Sequence, residues 1–467
     1  MKIFNTYTGR KEDFVPIDPE NVRVYTCGPT VYAYSHLGNM RAYIFMDTLR
    51  RVLEANGYKV TQVMNITDVG HLVSDADEGE DKMMKTVRES NRDPWEVAKF
   101  YADAFFRDIR LLNIRMPSIV PKATDHIPEM LDCIEKLVDT GYGYETSDGV
   151  YFDISKFPDY GKLSRIDLEG QMAGARVEVN EEKRNPEDFA LWKKAAKEHI
   201  MQWLSPWGMG FPGWHIECTA MSRKYFGDLF DIHTGGIDHI PVHHENEIAQ
   251  SEALTGAKTV NYWMHYEFLL VNNGKMSKSL GTSYTLEDFM DKGFDPIVYR
   301  YFCLNGHYRS KLNFTWDGMK AAQTAYTRFL EAVLGHKGQP AEIADCDLIA
   351  FRDEFIEAVD DDLNISKALG TVWNMLRHPV KSNSIYEAVL KMDSILGLDA
   401  DRANEKLTEM RKSAEGEIDA DVEALIERRQ QARRDKDWKL ADEIRGKLKD
   451  MGITLEDSPG GVKYRKA

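Results

Sequence analysis

Long apolar runs and cysteines are both scarce in this sequence of 467 residues. No run of about 18 apolar residues occurs, so we expect no membrane-spanning helix, and the first four residues lack the apolar core of a signal peptide. The five cysteines are widely separated, which argues against a disulfide framework. We therefore expect a cytoplasmic protein whose thiols are either buried apolar side chains or metal ligands.

Positive charge is also in deficit. The formal net charge is −16, which argues against a protein that coats nucleic acid indiscriminately. The sign of the total does not report how charge is distributed, so a nucleic acid can still dock on a local basic patch. The length predicts three or more domains with ample material for their cores.

A strand, a polar loop and a helix form the first informative stretch. Residues 24–30 contain a short β-branched strand that ends in a Gly-Pro turn, and residues 35–39 open a helix whose apolar residues recur at helical spacing. A second strand, residues 58–66, follows at once. This βαβ unit predicts a parallel sheet with its ligand crevice at the carboxyl ends of the strands, where Cys27 lies and which His36 faces.

Three residues further along the chain have the spacing of a metal site. His243 and Glu247 lie four residues apart, so on a helix they share one face, and Cys218 can close on the same point. Zinc suits a thiolate, an imidazole and a carboxylate, and Cys27 is the candidate fourth ligand if the two halves of the sheet are adjacent. A histidine and a glutamate that form a surface hydrogen bond, in a chain whose cysteines are buried in the core, have the same spacing. Spacing alone therefore does not establish a metal site.

An apolar strand at residues 268–271 leads into a glycine-flanked loop with two lysines and two serines. Lys275 and Lys278 supply point charges that suit a polyphosphate, and the small residues let the loop move. A solvated surface loop has the same composition.

An acidic stretch, residues 74–81, holds five carboxylates in eight residues. Calcium loops have such a composition, but Gly79 stands at the wrong offset from Asp75 and no glutamate occupies the twelfth position. We interpret the stretch as a solvated loop.

Taken together, these segments resemble a known family. Residues 36–39, His-Leu-Gly-Asn, are similar to the HIGH signature of class I aminoacyl-tRNA synthetases, and residues 275–279 match their KMSKS signature. Asn39 replaces the usual final histidine, which keeps a hydrogen-bond donor and removes a titratable group. The resemblance runs from about residue 3 to the end of the chain. Motifs that resemble the cysteinyl branch lie at residues 27–32, 183–193, 213–218 and 243–247.

The resemblance implies an α/β fold: a Rossmann-like parallel-sheet catalytic domain with an insertion, then an α-helical bundle and a small C-terminal α+β domain. Helical periodicity between residues 321 and 398 independently favours the bundle. The expected boundaries are 1–120 and 213–262 for the two halves of the catalytic domain, 121–212 for the connective insertion, 263–315 for a stem-contact region with the KMSKS loop, 316–400 for the tRNA-binding bundle, 401–420 for a charged linker and 421–467 for an anticodon-binding domain.

The resemblance also implies one zinc ion per chain. The family's ligands correspond to Cys27, Cys218, His243 and Glu247, and the substrate's thiolate becomes a further ligand. Serine is nearly isosteric with cysteine, so a pocket that only excludes bulk separates the two poorly, whereas a thiophilic ion separates them by bond strength. Such a protein needs no editing domain.

The implied activity is ligation of L-cysteine to tRNA-Cys by a monomeric enzyme. Cysteine and ATP, with Mg²⁺, give cysteinyl-adenylate, whose carbonyl is then attacked by the 2′-hydroxyl of the tRNA's 3′-terminal adenosine. The family's positions correspond to His36, Asn39, Lys275 and Lys278 for catalysis, to His36, Gly38, Asn39, Asp238 and Lys278 for ATP binding, and to Gly28, Thr67, Trp214 and His233 for substrate binding. Of these, Trp214 is equally suited to a packing role in the core.

The C-terminal segment, residues 421–467, carries a net charge of +2 against −18 for the rest of the chain. Trp438 lies among basic residues, which suits stacking on a single-stranded loop, although a solvated amphipathic helix has the same pattern. The resemblance implies that Arg433, Trp438, Asp442 and Asp457 read the anticodon.

Two other functions fit parts of the sequence. A ligase that joins cysteine to an amino-sugar shares the catalytic core but lacks the anticodon-binding end, so residues 432–465 argue against it. A catalytically inactive paralogue that binds RNA would have lost signature residues, whereas both lysines and all four expected zinc ligands are present.

Overall fold

The computed structural model describes residues 1–70, 83, 86–88, 92–165, 182–197, 199–277, 281–451, 453–458 and 461–466. At residues 413–420, 454, 456–458 and 461–466 only the backbone is described. The acidic stretch at residues 74–81 and Lys278 lie outside the described residues. Within them, no helix combines the length and the apolar content that crossing a membrane requires.

Strands and helices are numbered in chain order over the described residues. The strands are β1 (Lys2–Asn5), β2 (Arg10–Asp13), β3 (Val22–Thr26), β4 (Val60–Met64), β5 (Gly143–Glu145), β6 (Gly149–Phe152), β7 (Phe189–Lys194), β8 (Trp203–Ser205), β9 (Gly208–Pro212), β10 (Phe230–Gly236), β11 (Val260–Tyr266), β12 (Leu269–Val271), β13 (Gly274–Lys275), β14 (Leu312–Phe314), β15 (Ile453–Ser458) and β16 (Gly461–Lys466). The α-helices are α1 (Leu37–Ala55), α2 (Pro94–Leu111), α3 (Ile127–Asp139), α4 (Trp214–Phe226), α5 (Glu245–Thr255), α6 (Leu286–Met290), α7 (Pro296–Leu304), α8 (Trp316–Leu334), α9 (Asp345–Asp360), α10 (Ile365–Leu376), α11 (Asn383–Leu396), α12 (Ala403–Arg434) and α13 (Trp438–Asp450).

A four-stranded parallel sheet, in the order β11-β10-β3-β4, organises the N-terminal half. Helix α1 joins β3 to β4, which confirms the predicted βαβ unit. Along β3, Val24 packs into one apolar core and Tyr25 into another, as the alternation of a strand covered on both faces requires. The chain adds β4 on one side of β3 and then β10 and β11 on the other, so a crevice opens at the carboxyl ends of β3 and β10.

Helix α1 begins with a reciprocal cap. The Asn39 backbone N–H donates to Nδ1 of His36 at 3.2 Å, and the His36 N–H donates to Oδ1 of Asn39 at 3.1 Å. These bonds satisfy backbone donors that the start of a helix otherwise leaves unpaired. The helix ends before Asn56 and Gly57, as their sequence predicts.

An antiparallel sheet, in the order β5-β6-β7-β9-β8, forms the insertion between β4 and β10. Its strand β9 runs directly into α4, the helix that carries Cys218. Gly213 makes that junction close, because a Cβ there would lie 2.0 Å from the carbonyl oxygen of Ala190. The insertion therefore fixes where α4 begins.

The helices from α8 to the first part of α12 share one apolar core with α1 and α7. A buried ion cluster ties them together: Arg300 donates to Oδ2 of Asp47 at 2.6 Å and to the Leu396 carbonyl at 2.7 Å, and Arg51 donates to Asp47 Oδ2 at 2.7 Å. Burial of these charges is tolerated because each is paired and hydrogen-bonded.

The C-terminal elements have a small apolar cluster of their own, formed by Val422, Ile444, Leu448 and Ile453. Helix α12 runs unbroken into this region, so the segment at residues 401–420, which we expected to link the bundle to the C-terminal domain, is largely helical. Glutamate, lysine, alanine and methionine, which make up much of this charged segment, have high helix propensity.

Candidate active site

A cavity of about 270 Å³ lies at the carboxyl ends of the parallel strands, where a doubly wound sheet binds its ligand. A second cavity of about 280 Å³ adjoins it, and His36, Asn39 and Asp238 line both. Gly38 and Lys275 line the second cavity. The expected site residues that line the first are Cys27, Gly28, His36, Asn39, Thr67, Trp214, Cys218, Asp238 and His243.

The four expected zinc ligands converge at the base of the first cavity. Donor atoms of Cys27, Cys218, His243 and Glu247 all lie within 4.8 Å of one another. Tetrahedral zinc, with bonds of about 2.0 to 2.3 Å, spaces its ligands up to about 3.8 Å apart. Two thiols, an imidazole and a carboxylate, all buried, therefore match zinc in both chemistry and approximate spacing.

Neighbouring histidines hold two of these ligands in position. Nδ1 of His243 bonds Nδ1 of His215 at 2.9 Å, and Nε2 of His243 lies 3.0 Å from Oε1 of Glu247. Oε2 of Glu247 bonds Nε2 of His233 at 2.9 Å, so Oε1 is the carboxylate oxygen that lies against the His243 ring. His215 and His233 thus support His243 and Glu247 from outside the set of four ligands.

The four expected ligands differ in how the fold shifts their protonation. The hydrogen bond with Cys27 and burial raise the pKa of the Cys218 thiol. Burial opposes protonation of the His243 ring, but Glu247 outweighs it and raises the pKa of His243 to about 10. Burial opposes ionisation of the Cys27 thiol, but the hydrogen bond from Cys218 and the nearby His244 ring outweigh it, so the pKa of Cys27 lies well below its usual value. Burial likewise opposes ionisation of Glu247, and His233 and His243 nevertheless lower its pKa to about 2. The lowered pKa values of Cys27 and Glu247 favour the deprotonated form in which a thiol and a carboxyl bind metal.

A second set of donors shares two members with the first: Cys27, His233, His244 and Glu247 also lie within 4.8 Å of one another. Cys218 and His243 line the cavity, whereas His233 and His244 lie behind it, where they bond Glu247 and, at 3.4 Å, Cys27. We therefore assign the set with Cys218 and His243 as the one open to a substrate. His233, which the resemblance places in substrate binding, supports a ligand here, and sequence reasoning missed His244 altogether.

A hydrogen-bonded chain lines the cavity beside the metal ligands. The Gly28 N–H donates to Oδ1 of Asn65 at 2.9 Å, Nδ2 of Asn65 donates to Oγ1 of Thr67 at 3.1 Å, and the Thr67 hydroxyl donates to Oε2 of Glu217 at 2.9 Å. A Cβ at Gly28 would lie 1.6 Å from the Asn65 carbonyl oxygen, so only glycine fits. Sequence reasoning missed Asn65 and Glu217; the one available signal was a polar residue directly after a buried strand.

Trp214 and Asp238 stand on the cavity wall. The Trp214 ring is half-buried and stacks on His243 with ring centroids 4.4 Å apart, so it does not have the core packing role that we considered for it. Asp238 is exposed, and its carboxylate occupies the place that a Cβ on Gly236 would fill, 2.2 Å away. Both side chains therefore face the space in which a ligand would lie.

The two signature segments are held side by side. The Leu37 N–H donates to the Tyr284 carbonyl at 2.8 Å, and the Tyr299 hydroxyl donates to the Leu37 carbonyl at 2.6 Å. The Ser277 N–H donates to Thr282 Oγ1 at 3.0 Å, which closes the loop on itself. Lys275 is exposed on β13 at the second cavity.

The expected anticodon residues lie near the C-terminus. Arg433 is in the last turn of α12, and Trp438 begins α13 with 59% of its surface exposed. Asp442 follows one turn later, on the same face as Trp438. Asp457 belongs to β15, where its backbone pairs with Val462.

The fold and the signature segments define a class I aminoacyl-tRNA synthetase. Residues 13–324 match the family of class I (C) tRNA synthetase catalytic domains. Two solved structures share the fold, each with a TM-score of 0.59: a methionyl-tRNA synthetase from Mycobacterium tuberculosis, at 16% identity over 82% of this chain and 93% of that one, and a leucyl-tRNA synthetase from Agrobacterium radiobacter K84, at 12% identity over 85% and 86%.

The particular family follows from the C-terminal domain and from whole-chain relatives. Residues 415–465 match the cysteinyl-tRNA ligase anticodon-binding domain. Cysteine–tRNA ligases from Treponema denticola (46% identity, 100% of this chain and 99% of the relative) and Burkholderia lata (47%, 99% and 96%) are similar throughout. The chain belongs to the cysteine–tRNA ligase family and is an aminoacyl-tRNA ligase.

Proposed function

We propose that the protein activates L-cysteine with ATP to cysteinyl-adenylate and transfers it to tRNA-Cys, with one zinc ion that selects the substrate's thiol. The observation that carries this proposal is the convergence of Cys27, Cys218, His243 and Glu247 on the cavity that His36 also lines. Similarity to cysteine–tRNA ligases along the whole chain supports cysteine as the substrate.

Zinc at these residues supplies a thiophilic Lewis acid that favours a thiol over the hydroxyl of serine. The protein's own part is to hold the ligands. His215 and His233 fix the orientation of His243 and Glu247, and the Trp214 ring packs against His243. Because Cys27, Cys218 and His243 line the cavity, the amino acid reaches the ligands from that side.

His36 acts at the start of α1, where the helix dipole favours phosphate. Its Nδ1 accepts the Asn39 N–H, so the neutral ring carries its proton on Nε2 and can donate it to a phosphate oxygen. Asn39, Gly38 and Asp238 complete the ATP site, and Lys275 and Lys278 neutralise the leaving pyrophosphate together with Mg²⁺. This chemistry requires positioning and charge rather than a nucleophilic side chain.

The second step needs the 3′-terminal adenosine of the tRNA at the same cavity while the far end of the tRNA is read. We assign that reading to Arg433, Trp438, Asp442 and Asp457. The domain boundaries expected from the sequence, a monomeric state and a cytoplasmic location belong to the same proposal.

The decisive experiment pairs metal analysis with two activity assays on the purified chain. We expect one zinc per chain, cysteine-dependent ATP–pyrophosphate exchange, and charging of tRNA-Cys by cysteine but not by serine. Cys218→Ala should lose zinc and cysteine affinity, whereas Cys346→Ala, at an exposed thiol, is the matched control and should keep both. Exchange without charging would favour an amino-sugar ligase, and unchanged cysteine affinity in the Cys218 variant would remove the role given to zinc.

A further inference from the structure

The hydrogen-bonded chain from Gly28 to Glu217 has a fixed direction. A backbone N–H can only donate, so the Gly28 bond identifies the oxygen of the Asn65 amide, and the other end of that amide must be the donor to Thr67. The structure orients the Thr67 hydroxyl to accept from Asn65 and to donate onward to Oε2 of Glu217, a carboxyl whose pKa is raised by burial. Each bond is between 2.9 and 3.1 Å long.

This direction determines which kind of hydrogen bond Thr67 can form with a ligand in the cavity. A hydroxyl has one hydrogen and two lone pairs. Glu217 takes the hydrogen and Asn65 takes one lone pair, so a single lone pair is left on a side chain that lines the cavity. Toward the cavity, Thr67 Oγ1 is an acceptor and not a donor.

The position of Glu217 relates this acceptor to the amino acid. Glu217 is wholly buried in the first turn of α4 and immediately precedes the ligand Cys218. Thr67 is therefore tied to the residue next to the metal centre. Of the polar groups of cysteine, the ammonium is the strong donor, while the carboxylate only accepts.

Building on the proposed function, we infer that Glu217 is a positioning residue for amino-acid recognition: by accepting the Thr67 hydroxyl hydrogen, it keeps Thr67 Oγ1 as the acceptor for the substrate's α-ammonium group. Without Glu217, the hydroxyl can turn its hydrogen toward the cavity and present the wrong polarity to the ammonium. Gly28 and Asn65 hold the chain from its other end.

The test compares two ligands that differ in the ammonium alone. L-Cysteine and 3-mercaptopropionate share the thiol and the carboxylate, and calorimetry of the zinc-loaded full chain gives the ratio of their affinities. Glu217→Met, which removes the acceptor at similar volume, should lower this ratio on the order of 10-fold through weaker cysteine binding, as expected for the loss of a hydrogen bond to a charged group. The affinity for 3-mercaptopropionate should not change.

Four further variants separate positioning from a structural role. Thr67→Val should reproduce the effect, and its combination with Glu217→Met should be no worse than either alone, because both remove one interaction. Glu217→Gln, whose amide oxygen accepts the same hydrogen bond, should restore the ratio. Ser222→Ala, on the same helix with its hydroxyl bonded only to the Thr219 carbonyl among the described residues, is the matched control. In pyrophosphate exchange, KM for cysteine should rise while KM for ATP stays constant.

A normal affinity ratio in Glu217→Met at full zinc content overturns the inference, and so does an equal loss of both ligands, since that outcome makes Glu217 a support of the metal centre. If Glu217→Met does not hold zinc, two of the other variants decide. A lowered ratio of cysteine to 3-mercaptopropionate affinity in Thr67→Val, together with a normal ratio in Glu217→Gln, supports the inference. Any other pair of results overturns it. Absence of thiol binding in the unaltered chain is a different result, because it overturns the proposed function itself.

Discussion

Asn39 shows how one substitution in a signature motif changes what a residue does. Where the family's signature ends in histidine, this side chain turns back to accept the His36 N–H, so it fixes the start of α1 as well as lining both cavities of the candidate active site. The sequence predicted that a hydrogen-bonding residue was kept here, but not that its partner is the helix cap, because cap geometry depends on the loop that precedes the helix.

Asn39→Ala should therefore lose stability and ATP affinity together. Removal of the cap bond costs about 1 kcal/mol of unfolding free energy, and the loosened helix start raises KM for ATP. Asn39→Asp retains the acceptor and adds a negative charge, so stability should hold while KM for ATP rises. Urea denaturation and pyrophosphate exchange measure the two effects, and equal stability of both variants would contradict the capping role.

Asp393 gives a pH dependence with a defined sign. Burial raises the pKa of this carboxyl to about 6, in spite of hydrogen bonds from the backbone N–H groups of Leu398 and Ala400. In the unfolded chain an aspartate titrates near pH 3.9, so between about pH 4 and 6 the folded state binds the extra proton and stability falls as pH rises. The contribution lost across this window is about 3 kcal/mol.

The measurement is the difference in unfolding free energy between the unaltered chain and Asp393→Asn at several pH values. Asparagine does not titrate, so the difference should move in favour of the variant as pH rises from about 4 to 6 and then become level. Other titrating groups cancel in the subtraction. A difference that stays constant across the window would show that Asp393 titrates normally.

At the scale of the elements, the junction of α1, α7 and α11 is held by a buried arginine and a left-handed glycine. Arg300 bonds Asp47 of α1 and the last carbonyl of α11, and Gly397 follows with a φ of +66°. A Cβ on Gly397 would lie 2.8 Å from the Arg300 guanidinium carbon. Close contact with a buried cation and left-handed backbone therefore coincide at one residue.

Gly397→Ala should cost at least about 2 kcal/mol, because backbone strain adds to displacement of the guanidinium. Gly446→Ala is the matched control, since that glycine lies within α13 and an added Cβ would meet nothing within 4 Å, so alanine should be neutral or stabilise by up to about 1 kcal/mol. Chemical denaturation of the two variants measures the change in unfolding free energy at each glycine. Equal effects at the two glycines would mean that the contact with Arg300 carries no weight.

The local sequence pattern predicted helices and strands better than it predicted which side chains contact one another. Helical spacing gave α1, and the four-residue spacing of His243 and Glu247 gave a pair whose atoms lie 3.0 Å apart. The supporting His244 and the bond from Thr67 to Glu217 were not predictable, because they join residues from different strands and helices that no local periodicity relates.

At the scale of the whole molecule, helix α12 bridges two apolar cores. Leu407 and Met410 near its start pack into the large core of the catalytic region and bundle, whereas Val422 packs into the C-terminal cluster. Net charge divides in the same way, since the segment after residue 420 is slightly positive and the rest strongly negative. Activation of cysteine and reading of the tRNA should therefore be separable.

A chain truncated after residue 414 keeps Leu407 and Met410, so it should fold, bind zinc and catalyse cysteine-dependent pyrophosphate exchange at a nearly unchanged rate. Charging of tRNA-Cys should fall steeply, because the expected anticodon contacts are gone. Trp438→Ala in the full chain should lower charging efficiency on the order of 10-fold through loss of base stacking alone. Steady-state charging and exchange, measured side by side, test both variants. Loss of exchange on truncation would mean that the catalytic core depends on the C-terminal cluster, and undiminished charging would contradict the role given to the anticodon residues.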